Sequence, residues 1–496
     1  MKKSPRQRIA IIGGGFAGAV TALKLIESSD QALDLQLFES SHEIGRGIAY
    51  SSRNHAHLLN GPARLFGLYP QQPDHLVNWL SANAHAYDWQ PPAGISFANC
   101  FAPRWLFGAY VQATLQAALQ QSGTRVSLQT VQQRVTDLQR HAHAGHYLIT
   151  SATGSQWQAD RVVLATGLFR AQTQQAFAVD PALLQPPSTA PADTRLIENV
   201  WHDDAWRDIA QAQTVLIIGS SLTALDAILS AEQHGFTGRY IALSRRGLQL
   251  SPREDLEPWP DLLQPQRLPT SLRTLLRTVQ QARHAIRASG ESWQRLPGAV
   301  RPYLPQLWAN ASTRDRQRFL RHLRPYWEIA LHRAAPESSR AFAQIVASGR
   351  YLQQSGRISA LRAAADGQIE VKWRGRGGQA VPSMLVDRVI NAQGYEFDWR
   401  KIDDALLVSI LQRGLVSVHS TGYGIDTVAT SGAVRNAAGD TSDSLFAVGH
   451  PVRGVVWESN SIAEQLAGAT ATAQAIAALI ARPAHADASL TNLLPA

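Results

Sequence analysis

One pattern stands twice in this chain, and it restricts the fold more than any other feature. Residues 9–18 read Ile-Ala-Ile-Ile-Gly-Gly-Gly-Phe-Ala-Gly: an apolar run, a glycine turn, then the start of a helical pattern. Residues 215–224 repeat it as Val-Leu-Ile-Ile-Gly-Ser-Ser-Leu-Thr-Ala. Each copy leads to a second apolar run, one ending in Glu39 and the other in Ser244, Arg245 and Arg246. Glu39 follows Gly13 at the spacing at which Arg245 follows Gly219. A further echo relates residues 160–167, which end in Ala165, Thr166 and Gly167, to residues 387–394. Short apolar runs without polar alternation read as strands buried on both faces, and strands that alternate with helices read as a parallel sheet. The expectation is therefore an α/β chain with two Rossmann-like dinucleotide-binding domains. A strand-and-turn pattern at residues 445–450 then closes the chain, so the second domain is expected to be nested within the first. The expected boundaries are 1–170 for the first part of the first domain, 171–385 for the second domain and 386–496 for the completion. A helical insertion is expected at about 266–350, because that segment is too long for a simple crossover connection.

The two turns predict different ligands. In the first, Gly13 permits the tight turn, Gly15 lets the backbone approach a pyrophosphate, and Gly18 permits close helix–strand packing. The helix that begins at Phe16 and Ala17 turns its unpaired N–H groups toward the phosphates. Glu39, at the end of the second strand, suits a ribose diol, so the first site is expected to take FAD. In the second turn Gly219 is retained, while Ser221 and Ala224 replace the other two glycines and Leu222 and Thr223 open the helix. Arginine in place of the acid suits a 2′-phosphate. Ser244, Arg245 and Arg246 are therefore expected to bind NADPH; the alternative is a vestigial unit with surface arginines.

Composition removes several other classes. Of 496 residues, 45% are hydrophobic and 17% charged, which suits a large folded core and not a disordered or coiled-coil chain. Cys100 is the single cysteine, so neither a disulfide framework nor a CxxC redox pair can form. The net charge of +9 comes mostly from arginines spread along the chain, a pattern that argues for anionic cofactors and against nucleic acid. Lys2, Lys3, Arg6 and Arg8 precede an apolar stretch in the manner of a signal peptide, but that stretch holds the nucleotide-type glycines and no cleavage site follows. A cytoplasmic protein without a membrane span is expected. No metal-binding spacing and no GxSxG elbow occurs.

Other segments supply further candidates. Gly45, Arg46, Gly47 and Tyr50 form either a second cofactor loop, with Arg46 toward the pyrophosphate, or an ordinary turn. Asn60 either points at the flavin edge or forms a turn with Gly61. Val135, Ala165, Thr166 and Gly167 are expected beside FAD. Near the end come Gly449, His450 and Arg453, and then Ser461, which forms a capping box with Glu464 for the last helix; Gly449 and Ser461 are expected beside FAD. His450, Arg453 and Asn60 are the candidates for contact with the reaction centre; for the first two the alternative is a structural or solvent role. Arg314, Arg318 and Arg321 fall on one face of a helical pattern, either as a solvated stripe or as a clamp for NADPH phosphates or an anionic substrate.

Nearly all of the chain resembles the bacterial FAD/NAD(P)-binding flavoproteins of enteric type. The likeness rests on IIGGGFAG at 11–18, HLLNGPARLFGLYPQQPDHLVNWL at 57–80, residues 216–248, RFLRHLRPYWEIALHRAAP at 318–336 and LFAVGHPVRGVVWESNSIAEQ at 445–465. More distantly, the chain is similar to flavin monooxygenases with two dinucleotide domains, including N-hydroxylating and Baeyer–Villiger enzymes. That resemblance implies reduction of FAD by NADPH and oxygenation of a small molecule by molecular oxygen through a C4a-(hydro)peroxyflavin. The Baeyer–Villiger pattern FxGxxxHxxxW is absent before the second turn, where Trp201, His202 and Trp206 stand instead, so ketone oxygenation is disfavoured. Two alternatives remain: a flavin reductase or oxidase passing electrons to a quinone or partner, and a non-catalytic FAD-binding sensor. Substrate and oligomeric state are not legible.

Overall fold

A computed structural model describes residues 6–40, 43–141, 145–184 and 195–481. Lys2, Lys3 and residues 185–194, within the expected second domain, lie outside the described residues.

The first duplicated run forms the strand Gln7–Ile12, whose last four residues are buried. It lies inside a six-stranded sheet, parallel to Leu33–Phe38 on one side and to Arg161–Leu164 on the other. Thr441–Ala447 adds in parallel beside Arg161–Leu164, with Ala433–Arg435 at the edge, so the two ends of the chain build one sheet. The second run forms Thr214–Ile218 in a separate sheet, flanked by Arg239–Ser244 and Arg388–Asn391. Each repeated strand thus sits between its acid- or arginine-bearing neighbour and the strand that ends in the Ala-x-Gly turn. Such a reversal of strand order opens a crevice at the carboxyl ends, where ligands bind in sheets of this kind. Arg388–Asn391 stands in the second sheet, past the expected boundary at 385, because it is that sheet's counterpart of Arg161–Leu164.

Beside the first strand, the helix Phe16–Ser28 is buried from Phe16 through Ile26. The helices Arg104–Ser122 and Ile462–Ala481 pack against it. It is covered nearly all round, and the charge it buries, Lys24, pairs with Glu27 at 2.9 Å. Where the units meet, Phe169–Arg170 pairs antiparallel with Tyr395–Glu396, so the two connections between the sheets brace one another.

Val126–Val131 and Val135–His141 are separate strands, the first at the edge of the six-stranded sheet and the second in a three-stranded antiparallel sheet. The arginine-rich pattern at 314–324 begins as the helix Thr313–Arg318 but continues as a π-helix, Phe319–Leu323. The wider π turn rotates Arg321 away from the face that Arg314 and Arg318 share in the preceding helix, and all three are exposed, as in a solvated stripe.

Candidate functional site

The turn after each repeated strand is pressed against the turn of a neighbouring strand. Gly13 has φ +108°, and a Cβ there would lie 2.2 Å from the Ala165 carbonyl oxygen. Gly219 has φ +127°, and its Cβ would lie 2.3 Å from the Ala392 carbonyl oxygen. Only glycine combines that backbone with that approach. Both helices then start without a side-chain cap, on the extended residues Gly15 and Ser221.

Both helix starts open on one cavity of about 760 Å³. From the first unit it is lined by Gly13, Gly15, Phe16, Ala17, Glu39, Arg46, Gly47, Tyr50, Val135, Ala165, Thr166 and Gly167; from the second by Ser221, Leu222 and Thr223. His450 and Arg453 line it too. Gly15 faces Gly47 so closely that a Cβ on Gly47 would lie 3.2 Å from the Gly15 Cα. Glu39 accepts from the Gly14 N–H at 2.9 Å, which ties the acid to the turn. Arg46 pairs with Glu43 and donates to the Trp105 carbonyl at 2.8 Å, so part of its guanidinium is already engaged.

Other expected residues stand apart from this lining. Gly18 packs beneath the turn, where a Cβ would lie 1.8 Å from the Gly13 carbonyl oxygen, and Gly449 packs against Ala17. Gly45, Gly219 and Ala224 also lie outside it. Asn60 does not reach the cavity; its carbonyl accepts from Arg253 at 3.2 Å. Ser461 accepts from the Glu464 N–H at 3.4 Å, the first half of the expected capping box. Glu464 does not complete it and pairs with Arg301 instead, at 3.1 Å. Ser244, Arg245 and Arg246 lie outside the lining as well. Arg246 sits over the Tyr326 ring at 5.5 Å. Arg245 is exposed, and reduced hydration followed by the like charges of Arg324, Arg246 and Arg357 lowers its pKa. No ion pair to Arg245 occurs among the described residues, so an anion there would relieve the repulsion.

Several lining residues were not legible as site residues. Arg324, Glu328 and His332 recur at four-residue spacing and face the cavity together; that spacing was the available signal. Glu328 accepts from Arg453 at 2.9 Å. Arg453 is 4% exposed and is held between the rings of Phe397 and Trp457, at 4.4 and 4.6 Å. Burial, and then the charge of Arg453, push the His450 imidazole down to about 3, so it is neutral at ordinary pH. Arg104 and Asp226, also in the lining, form an ion pair between the two units.

The polar atoms of the cavity provide a test of cofactor fit. Thr166 Oγ1, Gln393 Nε2, His450 Nδ1, Arg453 Nε and Asn460 Oδ1 are buried, lack a protein partner and all belong to lining residues. Buried polar atoms without partners are costly, and a polar ligand would satisfy them. A nucleotide cofactor therefore fits the residues present. Among the described residues no group of three or more His, Cys, Asp or Glu side chains could hold a metal ion, and no helix is long and apolar enough to cross a membrane.

Comparison with known proteins agrees with this geometry. The sequence profile of a family described as FAD-NAD(P)-binding matches residues 10–169, an indication of an FAD/NAD(P)-binding domain. An uncharacterized protein of Mycobacterium tuberculosis is 23% identical over 477 residues, covering 85% of this chain and 86% of its own. Among solved structures, an ornithine N-hydroxylase from Kutzneria sp. 744 aligns with TM-score 0.59 and 14% identity, covering 96% of this chain and 99% of that one. The L-lysine 6-monooxygenase of Pseudomonas syringae aligns with TM-score 0.57 and 17% identity, covering 96% and 99%. The fold is that of flavin monooxygenases with two dinucleotide-binding sheets.

Proposed function

We propose that this protein is an FAD-dependent oxidoreductase that is reduced by NADPH and oxygenates a small molecule. The observation that carries the reading is the single cavity onto which both helix starts open, so that two nucleotides can meet end to end. In this reading residues 1–170, with the completing C-terminal part, hold FAD, and the nested unit, through its strand Arg388–Asn391, holds NADPH. The overall balance is NADPH, a proton, oxygen and substrate giving NADP⁺, water and the oxygenated product.

Bound flavin would supply hydride acceptance and, once reduced, reaction with oxygen. The chain's own residues bind, orient and shield. The Gly13–Gly15 backbone and the start of the helix Phe16–Ser28 receive the pyrophosphate, and the Glu39 carboxylate accepts from ribose hydroxyls. Ser221, Leu222 and Thr223 receive the second pyrophosphate. Arg245, set among like charges, receives the 2′-phosphate. His450 offers an uncharged nitrogen at Nδ1 and cannot contribute a proton as imidazolium at neutral pH. Arg453, clamped by Glu328 and two rings, holds a fixed positive charge at the wall, where it favours negative charge developing in the cavity.

Anaerobic stopped-flow with NADPH, followed by mixing with oxygen, tests the proposal. Rapid bleaching, with a spectrally distinct phase before the oxidised flavin band returns, is expected. Bleaching with single-step reoxidation, also in the presence of candidate amine substrates, would favour electron transfer to a quinone or partner. No bleaching would leave a flavin-binding sensor.

Arg245→Ala should weaken NADPH roughly 10- to 100-fold while changing NADH little, read from the concentration dependence of bleaching. Equal losses for both nucleotides would remove the 2′-phosphate assignment.

A further inference from the structure

A second cleft, of about 490 Å³, lies within the helical insertion and is separate from the nucleotide cavity in its lining. One wall is the helix Leu272–Ala288, through Leu272, Arg273, Leu276, Arg277 and Gln280. The other is Thr313–Arg318 with its π-helical continuation, through Asp315, Arg318, His322 and Leu323.

We propose that this cleft binds a small amphipathic anion: a carboxylate or phosphate head on the arginines and a short apolar chain over the leucines. The inference is independent of the redox reading. Arg273 and Arg277 are exposed, and they share the lining of one cleft with Arg318 and His322. Like charges on opposing walls repel unless an anion sits between them. Asp315 is the one carboxylate in the lining, and it is already engaged: it accepts from the Leu272 N–H at 3.1 Å and lies 3.6 Å from Arg318. Arg273 and Arg277 have no ion pair among the described residues. The start of the first helix is itself satisfied, because Ser271 accepts from the Thr274 N–H, so the attraction comes from side chains.

The apolar half of the site is Leu272, Leu276 and Leu323, each only partly buried. A cleft of this volume matches pockets for small molecules, roughly 300–1,000 Å³. The π-helix contributes to the selectivity: His322 and Leu323 both lie in it and both line the cleft, so a polar ring and an apolar surface lie side by side. π-helical turns are frequent at functional sites.

Calorimetric titration of the FAD-loaded protein with octanoate and with octyl phosphate tests the proposal. Saturable binding of at least one is expected, and the better of the two identifies the head group. Arg277→Glu should weaken it roughly tenfold or more, and Arg277→Gln by less. Leu276→Asn should weaken the octyl probes and leave inorganic phosphate, itself a poor ligand, unaffected. The exposed position of Arg277 keeps the variants folded, which their flavin absorbance reports. No saturable binding of either probe would overturn the proposal. So would binding that persists in Arg277→Glu and is displaced by NADP⁺, which would put the probe in the nucleotide site, or equal binding of octylammonium, which would show that charge plays no part.

Discussion

Arg104→Ala is expected to lower the unfolding free energy of the FAD-loaded protein by about 3–5 kcal/mol, because it leaves the Asp226 carboxylate buried without its partner. The side chains of the pair are 14% and 5% exposed. Arg104 belongs to the helix Arg104–Ser122 of the first unit and Asp226 to the helix Leu222–Gln233 of the second, so the pair fastens one nucleotide unit to the other. Its surroundings are polar and satisfied. Arg104 donates through Nε to the Leu58 carbonyl at 2.9 Å. His57 Nε2 faces the Asp226 carbonyl at 3.0 Å, so that nitrogen carries the proton, and His57 Nδ1 accepts from the Ser52 hydroxyl at 2.6 Å. Burial lowers the His57 pKa, in keeping with the neutral ring that this pattern requires. Replacing both charges, as Arg104→Met with Asp226→Leu, should recover most of the lost stability, because no charge is then stranded. Urea unfolding measures both, with the midpoint shifting at constant slope. A loss under about 1 kcal/mol in the single variant would mean that water reaches the pair and that the units are joined some other way. The same double variant separates stability from geometry. If the ion pair sets the angle at which the two helix starts face the cavity, bleaching by NADPH should stay slow even after stability returns.

This junction also shows where sequence reading stops. The two strand–turn–helix units were legible because a buried parallel strand, a glycine turn and a covered helix each leave a local signature within about thirty residues. The positions of Glu39 and Arg245 at the ends of their strands follow from fixed distances to a glycine, but only Glu39 lines the cavity. Helices from Leu272–Ala288 to Pro336–Ala347 occupy the segment that was too long for a crossover. Arg104 and Asp226, by contrast, meet across 122 positions, and nothing near either residue announces the other. Arg324, Glu328 and His332 had the spacing of one helical face, yet the neighbouring arginines at 314, 318 and 321 offered an equally regular stripe. The cavity separates them, being lined by the first set and by none of the second, and the departure of the π-helix from 3.6 residues per turn leaves no mark in composition. Asn60 illustrates the opposite hazard: an Asn-Gly pair in a loop has the chemistry of a ligand contact and the commonest chemistry of a turn, and only the packing of Arg253 on its carbonyl places it away from the cavity.

The duplicated turn provides the sharpest separation of the two nucleotide sites. Gly13→Ala should abolish retention of FAD, so that the protein is purified colourless. Gly219→Ala should leave the yellow colour and slow bleaching by NADPH at least about a hundredfold, the equivalent of roughly 2.7 kcal/mol. The added methyl is the same in both, and so is the obstacle. It would meet a backbone carbonyl, of Ala165 in one unit and of Ala392 in the other, at a distance that requires the turn itself to shift. A positive φ adds strain that any L side chain feels. In each case the shift displaces the N–H groups at the start of the following helix from the position of the pyrophosphate, and a displacement of about 1 Å is enough to lose aligned hydrogen bonds. What differs, in the proposed reading, is which nucleotide each turn holds. Flavin absorbance after purification and the anaerobic bleaching rate measure the two effects independently. If Gly219→Ala were bleached as fast as the unaltered protein, the second turn would not hold the reductant, and the nested unit would be a scaffold. If it lost flavin as Gly13→Ala does, the turn would be acting through the fold of the whole chain, with Ala392 and the neighbouring Gly394–Tyr395 connection as the route, since Tyr395 pairs back onto Arg170 beside the first site.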